Sequence, residues 1–393
     1  MSKRKICILS LSPIQSDGRV LREVTCAAKQ YAVTVVGWGT LDKPRDHVEM
    51  RPVQLHVFSR WQRLLQVALM FGGRFSPQLW ERWYWRKPDH QQALQWLLQD
   101  KWDLIHVNEA IALPIAIKAA QQMNVPVLYD AHEYSPGQDT DKVWWRILAQ
   151  PFYVYLMRVY APQATAMTTV AAGIAEEYHR NFGLQPTVVM NAPDYTQLPF
   201  NPTAAGRIRC VHHGVAMRDR HLEKLIEVMA QADARYSLEF MLMEKDAGYL
   251  EQLKREAQTK APGKITFRAP TPPREIATTI NSYDIGIHLI PPVNFNNAHA
   301  LPNKFFEFIM AGLAVIIGPS PEMARIVQQY HNGMVASDFT AQTLAECLNT
   351  LTTEQINIMK QNSLAAAKVL NSDNELRKVA EIYRRLLSVA YPT

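Results

Sequence analysis

The chain has 393 residues, of which 48% are apolar and 20% charged, and its 42 Lys and Arg against 36 Asp and Glu give a net charge of +6. This length favours two domains over one. The modest positive charge suits anionic small ligands or an acidic membrane face and does not by itself indicate nucleic acid. The cysteines are far apart and form no CxxC pair, which argues against a disulfide framework or a cysteine zinc site and favours reduced thiols: Cys7, Cys26, Cys210 and Cys347.

The start of the chain briefly imitates a secretory signal, but its apolar run, Ile6–Leu11, is short and interrupted by Ser10. A buried first strand explains this run better than a signal peptide does. No window reaches the eighteen or so apolar residues that a membrane-spanning helix needs. We therefore expect a cytoplasmic protein that is at most peripheral to a membrane.

Short β-branched runs alternate with amphipathic stretches through the first half of the chain. The pattern predicts a helix over residues 19–28 and strands at 5–10, 32–37, 53–58, 103–107, 125–130, 165–170 and 187–190. Strand and helix in alternation predict a parallel, doubly wound sheet. The first loop, residues 11–20, lacks GxGxxG and the chain has no GxxxxGK[ST], which disfavours NAD and ATP enzymes of those types.

Two loops of this half are candidates for function, because ligands of parallel sheets bind beyond the carboxyl ends of the strands. In the first loop, Asp17 suits a helix cap, while Gly18 allows the backbone to approach a phosphate. In YDAHEY, residues 129–134, His132 follows a strand and either hydrogen-bonds a hydroxylated substrate or is a loop histidine bonded to backbone. His106 lies within a strand and is expected to be buried and structural.

Residues 60–102 are rich in tryptophan and basic side chains. Six of the nine tryptophans lie between Trp61 and Trp102, and residues 60–87 hold six basic residues and one acid. Tryptophan and cationic residues together are typical of a bilayer interface. We expect this aromatic-basic surface, with a similar cluster at 144–160, to contact a membrane. Packing between helices and stacking on sugars are the alternatives.

The stretch 191–206 contains three prolines and several small residues, which predicts an interdomain linker. The alternation then restarts, with strands expected at 207–214, 237–243, 264–269, 284–290, 314–318 and 333–337. The predicted fold class is therefore α/β, with two Rossmann-like doubly wound parallel-sheet domains facing a cleft. Their predicted bounds are 1–190 and 207–371, and a helix over 372–393, opened by a Ser372–Glu375 capping box, is expected to pack back on the body.

The loop after the first strand of the second domain, HHGVAMRDRHLEK, residues 212–224, combines Gly214 at a strand end with Arg218 and Arg220 before a helix. Arginines at a helix N-terminus oppose the helix dipole unless an anion joins them. The loop therefore suits a diphosphate, with solvated surface arginines as the alternative.

A second feature of this domain is LPNKFFEFIMAG, residues 301–312, where Glu307 interrupts an apolar helix. Pro302 suits the first turn, Gly312 suits a left-handed cap, and the apolar faces predict burial. A buried carboxylate is costly unless it is paired. Either Lys304, one turn earlier, neutralises Glu307, or a ligand does, for which two ribose hydroxyls would serve.

Residues 301–327 resemble the donor-binding signature of GT-B glycosyltransferases, in particular retaining family 4, and residues 16–38, YDAHEY and HHG…RHLEKLIEVM resemble further elements of that family in the expected order. The resemblance implies two Rossmann-like domains, with a nucleotide sugar, UDP-glucose or a relative, held mainly by the second, and transfer of its hexose. Together with the aromatic-basic surface of the first domain, this leads us to expect a glycan or lipid-linked acceptor in polysaccharide or cell-envelope assembly, used at the cytoplasmic, inner face of the membrane. No cofactor or metal is expected, since helix dipoles and basic side chains stabilise the leaving diphosphate in such enzymes.

Carried over by position, Glu307 would hold the ribose hydroxyls, and Lys304 and Arg220 would hold the diphosphate together with the backbone of Leu301, Pro302 and Asn303. His132 would contact the transferred sugar. The remaining positions are Gly18 near the phosphates, Gly214 in the same loop as Arg220, and Arg268 where the family contacts the base.

Two positions depart from the family pattern. His299 stands where the family commonly has a Glu that faces the sugar, which leaves the sugar and the retention of configuration open. Val215 stands where the family has its first phosphate arginine, so that Arg218 or Arg220 would substitute. The alternatives are a nucleotide-sugar epimerase of the same fold, against which the aromatic-basic surface argues, and a non-catalytic membrane-associated scaffold, which His299 supports.

Overall fold

The computed structural model describes residues 3–388, in which two sheets form and every strand pair is parallel. The strands are β1 (Lys5–Pro13), β2 (Ala32–Trp38), β3 (Val48–Val53), β4 (Leu104–Asn108), β5 (Val127–Ala131), β6 (Ala166–Thr169), β7 (Thr187–Val188), β8 (Ile208–Ala216), β9 (Tyr236–Glu244), β10 (Ile265–Arg268), β11 (Ile285–His288), β12 (Ala314–Ile317) and β13 (Gly333–Val335). The predicted α/β class with two doubly wound parallel sheets is confirmed.

Helices connect these strands throughout. They are α1 (Gly18–Ala28), α2 (Arg60–Gly72), α3 (Pro77–Trp85), α4 (Pro88–Leu98), α5 (Leu113–Met123), α6 (Gln150–Val159), α7 (Ala172–Phe182), α8 (Glu223–Gln231), α9 (Tyr249–Lys260), α10 (Ile276–Ile280), α11 (Phe295–Ala298), α12 (Asn303–Met310), α13 (Pro321–Tyr330), α14 (Ala341–Thr350), α15 (Thr353–Ala367) and α16 (Ser372–Ser388). Over residues 3–388, no helix is both long and apolar enough to cross a membrane.

The chain divides into two compact units. The first runs through Met190 and includes residues 294–296 and the segment from Glu375, while the second holds residues 191–293 and 297–374. The core of the first unit joins Ile6 and Ile8 of β1 to Val379 and Tyr383 of α16. The predicted linker, 191–206, has no helix or strand and lies in the second unit.

Both sheets place a strand-order reversal at their centre. The first sheet has the order β3-β2-β1-β4-β5-β6-β7 and the second has β10-β9-β8-β11-β12-β13. After β1 the chain continues to β2 on one side, and after β4 it continues to β5 on the other side; β8 and β11 show the same reversal. Such a reversal opens a crevice beyond the carboxyl ends of the two central strands. Gly18 begins α1 shortly after β1, and Gly214 lies near the carboxyl end of β8, so both lie at such a reversal point.

Two local predictions were wrong. The third strand is β3, Val48–Val53, and residues 54–59 have no regular structure. β3 lies at the edge of the sheet, and among its residues only Val53 is buried, so its sequence carries little of the apolar pattern of a buried strand. Residues 53–58 show such a pattern but do not form the strand. The Ser372 hydroxyl does not cap α16, because Asn371 accepts from the Asn374 N–H instead, at 3.1 Å. Residues 389–393 of the predicted helix lie outside the described residues.

The aromatic-basic surface is also smaller than predicted. Trp80, Trp83 and Trp102 are buried, and the Trp83 ring packs edge-on against Phe152 of α6 with 4.9 Å between centroids. Trp80 and Trp83 pack α3 against α6, which agrees with the alternative interpretation of the pattern. The prediction of one continuous surface over 60–102 is therefore wrong for the part that follows α2.

Gly286 of β11 allows α12 to lie close to the sheet. A Cβ atom at this position would lie 2.2 Å from the ring of the buried Phe308. Gly286→Ala should therefore displace α12 and lower the free energy of unfolding by about 1–3 kcal/mol, as overpacking does. Gly18→Ala is the control, since its Cβ would meet only the mobile end of Arg22, at 3.5 Å. Urea unfolding followed by circular dichroism measures both, and equal midpoints would contradict the prediction.

Candidate functional site

Helix α12 begins after Pro302 in extended conformation and ends before Gly312, whose φ of +69° is left-handed as predicted. Leu301 and the rings of Phe305, Phe306 and Phe308 are buried. The helix is therefore fixed in the second unit's core, and the two charged side chains on it, Lys304 and Glu307, have positions set by core packing rather than by their own contacts.

Lys304 is buried beside the end of β8. Its Nζ lies 3.0 Å from His212 Nε2, and a Cβ on Gly214 would lie 3.0 Å from Nζ and 3.8 Å from Arg220 Nη1. Gly214 has a φ of +130°, which a side chain would strain, and its missing side chain leaves room for both cations. The structure thus brings together three of the predicted residues, Gly214, Arg220 and Lys304.

The surroundings of Lys304 disfavour its charge. Burial, reinforced by the charge of Arg220 and opposed by Glu307, lowers the pKa of Lys304 to about 7. Its neighbour His212 bonds the Ile287 carbonyl through Nδ1, at 2.8 Å, so that Nδ1 carries the proton and Nε2 accepts from Lys304. Burial also lowers the pKa of His212 and His288 well below the usual range, which keeps both rings neutral. An anion bound here would restore the lysine's charge.

Glu307 faces a second neutral imidazole. Its Oε2 lies 3.3 Å from Nε2 of His213, and its side chain is only 13% exposed. Burial, with a smaller effect from the positive Lys304, lowers the pKa of His213 to about 3, so this histidine does not neutralise the carboxylate. Glu307 therefore places a carboxylate at the edge of the core, near the reversal point of the second sheet.

The other residues predicted in the second domain lie in separate settings. Arg218 donates to Gln252 Oε1 at 2.6 Å and lies over the Tyr249 ring, so it is held against α9 and is not grouped with Lys304. Arg268 is half exposed, 3.9 Å from Glu239. Asn303 accepts from the Asn191 amide at 2.9 Å. His299 Nδ1 lies 3.3 Å from the buried carboxylate of Glu322.

In the first unit, His132 follows β5 and is tied to the sheet on one side of its ring. Its Nε2 lies 2.9 Å from Asn108 Oδ1 and 3.1 Å from Asp130 Oδ2. Burial opposes the charged ring, but the hydrogen bond and charge of Asp130 outweigh it and raise the pKa of His132 to about 9. Nδ1 is 3.5 Å from Glu109, too far for a good hydrogen bond, so this N–H is available to a ligand.

The charge on His132 depends on a buried ion pair. Asp130 accepts two hydrogen bonds from Arg19, at 2.5 Å and 2.7 Å, and one from Thr168 at 2.5 Å. Burial alone would raise the pKa of Asp130, but Arg19 and then His132 hold it well below the usual range. Asp130 is therefore an anion that fixes both the position and the protonation of His132.

Behind this pair lie Glu23 and His106, both buried. Burial and the charge of Asp130 raise the pKa of Glu23 to about 8, and burial lowers that of His106 to about 4, so both are neutral at pH 7. Nδ1 of His106 lies 2.7 Å from the hydroxyl of Tyr383 on α16. Ligand atoms of Glu23, His106 and Asp130 lie within 4.8 Å of one another, but Arg19 already supplies the positive charge at Asp130 that a metal ion would bring.

Sequence reasoning missed the residues that support this site. Gly18 was predicted to approach a phosphate, and the structure places it at the first position of α1, with Asp17 as the cap that accepts from Val20. Arg19, Asp130 and Asn108 were not singled out, nor were His212, His213 and Glu322. The one available signal was their polar character inside runs that otherwise predict buried strands and helices.

Replacing Asp130 tests the buried pair. Asp130→Asn leaves the guanidinium of Arg19 buried without its anion, which should lower the free energy of unfolding by about 3–5 kcal/mol. Because the folded pKa of His132 is raised, the part due to His132 should be complete below pH 6.5 and vanish as the pH rises through about 9.

The matched control is Asp139→Asn, which removes an exposed pair with Lys142 of 2.7 Å and should cost less than about 1 kcal/mol. Urea unfolding measured at several pH values distinguishes the two variants. An Asp130→Asn variant as stable as Asp139→Asn would show that Arg19 does not depend on Asp130.

Residues 20–193 match the family model described as a glycosyl transferase 4-like domain. No curated protein matches the chain in sequence. Among solved structures, the fold is similar to sucrose-phosphate synthase from Thermosynechococcus elongatus, at a TM-score of 0.71 and 15% identity over 99% of this chain and 100% of that one.

Two further solved structures contain bound nucleotide sugars. HepE from Anabaena, in complex with UDP-glucose, is similar at a TM-score of 0.68 and 14% identity, over 97% of this chain and 99% of that chain. A trehalose-6-phosphate protein from E. coli, bound with UDP-2-fluoro glucose, gives 0.69 and 11% over 99% and 100%. The family match covers residues 20–193 and the structural likeness covers both units; the chain therefore contains a region that matches a glycosyl transferase 4-like domain and has a fold similar to that of these solved structures.

Proposed function

We propose that the chain transfers a hexose from a nucleotide sugar, UDP-glucose or a close relative, with retention of configuration. The observation that carries this proposal is the pairing of a buried Lys304 beside Arg220 with an acidic Glu307 on the same helix face. A nucleoside diphosphate has both groups that such a site needs, an anion for the cations and ribose hydroxyls for the carboxylate. The UDP-glucose and UDP-2-fluoro glucose complexes of similar folds support the donor class.

Each group then has a distinct role in the reaction. Lys304 and Arg220 stabilise the negative charge that develops on the leaving diphosphate, aided by the N–H groups that begin α12. His132, held as a cation by Asp130, donates from Nδ1 to a hydroxyl of the transferred sugar. In a retaining transfer, the departing phosphate takes the proton of the acceptor hydroxyl. These cations make a metal ion unnecessary for charge stabilisation, so we propose a reaction without a metal or other cofactor.

The position that departs from the family pattern also fits this role. His299 is held by Glu322, whose second oxygen accepts from Arg325, so the ring has a fixed orientation. We propose that this ring lies near the transferred sugar, at the position where family members commonly have a carboxylate. This arrangement supports a donor site rather than a degenerate one.

For the acceptor, we propose a glycan or a lipid-linked saccharide in polysaccharide or cell-envelope assembly, used at the cytoplasmic face of the membrane. The support is the part of the aromatic-basic surface that the structure leaves exposed around α2. An epimerase needs no such surface.

Calorimetric titration of UDP, with GDP and ADP for comparison, tests the donor assignment. We expect UDP to bind the wild type and Glu307→Ala to lose about 1–3 kcal/mol of binding free energy, as hydrogen bonds to a charged group are worth. Glu251→Ala, which removes an exposed acid of the same unit, should bind like the wild type. Equal binding by Glu307→Ala would remove Glu307 from the site.

Product analysis with UDP-glucose distinguishes the alternatives in the same preparations. A transferase hydrolyses the donor slowly or transfers its sugar to an added acceptor, and Glu307→Ala slows this turnover. An epimerase releases an isomerised nucleotide sugar without acceptor. A scaffold binds UDP at most and turns nothing over, an outcome that would reject the proposed transfer while leaving the binding site intact.

The buried lysine predicts a pH dependence of UDP binding. The diphosphate binds the charged form of Lys304, whose pKa of about 7 in the free protein is far below that of a solvated lysine. Affinity should therefore fall by up to about tenfold per pH unit above pH 7, with proton uptake on binding. Lys304→Met should bind more weakly and almost independently of pH between 7 and 9. Titration in two buffers of different ionisation enthalpy measures the proton uptake, and its absence would contradict the prediction.

A further inference from the structure

Helix α2 exposes most of its apolar side chains. No residue of Arg60–Gly72 is buried, and Trp61, at its start, is 81% exposed. The flanking residues Val57 and Phe75 are 74% and 81% exposed. The helix is nonetheless well formed, since Ser59 and Gln62 make a reciprocal capping box at its N-terminus.

Only a few side chains of α2 face the protein. Gln66, Leu69 and Met70 are partly buried, and the side-chain oxygen of Gln66 has no hydrogen-bond partner within the described residues, whereas Leu64, Val67 and Phe71 are exposed. Positions 61, 64, 68 and 71 fall on one face of a helix, and all four are apolar and exposed. A helix normally turns such a face to the core, so this face is built to meet something other than water.

The apolar face extends beyond the helix. Arg74, just after α2, donates to the carbonyl of Ile147 at 3.2 Å, and this contact places α2 beside a segment whose side chains Val143, Trp144 and Ile147 are also exposed. The Phe71 and Phe75 rings are in contact at 5.9 Å between centroids. We call the exposed apolar side chains of residues 55–75 and 143–147 the α2 face.

Positive charge dominates beside α2. Residues 54–80 contain three arginines, Arg60, Arg63 and Arg74, and no Asp or Glu. The second segment adds no net charge, since Asp139 and Asp141 balance Lys142 and Arg146. A second copy of the chain would bring these like charges together, whereas anionic lipid headgroups complement them.

We propose that the α2 face binds the surface of an anionic lipid bilayer. Trp61, Leu64, Phe71 and Phe75 enter the boundary between headgroups and acyl chains, and Arg60 and Arg63 contact lipid phosphates. This inference rests on the proposed function, which includes a lipid-linked acceptor. Membrane binding would hold the first unit at the surface where such an acceptor lies. The binding itself requires neither donor nor turnover.

Flotation with vesicles tests the proposal on the full chain. Wild-type protein at low salt should float with vesicles of phosphatidylcholine mixed with phosphatidylglycerol and bind phosphatidylcholine vesicles far less. Arg60→Gln with Arg63→Gln should weaken binding to the mixed vesicles by about thirtyfold, given what each basic residue contributes near an anionic surface. Trp61→Ser with Phe71→Ser should abolish binding to both.

The matched control is Ile358→Ser with Val369→Ser, which removes two apolar side chains of the second unit that are 57% and 52% exposed. This variant should bind vesicles like the wild type. UDP titration of every variant distinguishes loss of the membrane surface from loss of the donor site or of folding.

Three outcomes overturn the proposal. The first is wild-type protein that does not float with anionic vesicles at low salt, and the second is a Trp61→Ser/Phe71→Ser variant that floats as well as the wild type. The third is light scattering that shows a dimer of the wild type and a monomer of this variant, because the α2 face would then be covered by a second copy of the chain.

Discussion

The candidate site in the second unit depends on a lysine amino group held inside the core. Lys304 is carried there by α12, whose phenylalanines are fixed by packing, and it lies beside the neutral His212 and the cation of Arg220. Burial and like charge both oppose ionisation of this lysine. A bound anion would favour the charged form, so that binding of the anion would be coupled to uptake of a proton.

The first unit also buries charged groups, but there they are paired. Arg19 pairs with the buried carboxylate of Asp130, and the hydrogen bond and charge of the same carboxylate keep His132 charged at the end of β5. Glu23 and His106 remain neutral behind it, so they add no charge to that of Arg19, Asp130 and His132. A cation that stays charged up to high pH and one that titrates near neutrality thus arise from similar burial, because one has a bonded anion and the other does not.

The α2 face illustrates a third use of the same physics. Exposed apolar area is unfavourable in water, and the protein places it on a helix that contributes little to the core of its unit. The tryptophans of α3 show the usual outcome, because they are buried against α6. Two neighbouring segments with similar composition therefore have different roles, and this difference separates the interior aromatic cluster from the proposed lipid-binding surface.

The amino-acid sequence alone determined the fold class and most strand positions, because β-branched runs of fixed length and the helical spacing between them are local signals. It also determined that α12 would be buried with a carboxylate on it. Only the tertiary structure decided the partners: His213 beside Glu307, Arg220 rather than Arg218 beside Lys304, and Arg19 against Asp130 across 111 positions of sequence. Local periodicity cannot reveal which β-strand ends meet, and it cannot tell an apolar helix face that packs from one left exposed, since both have the same spacing.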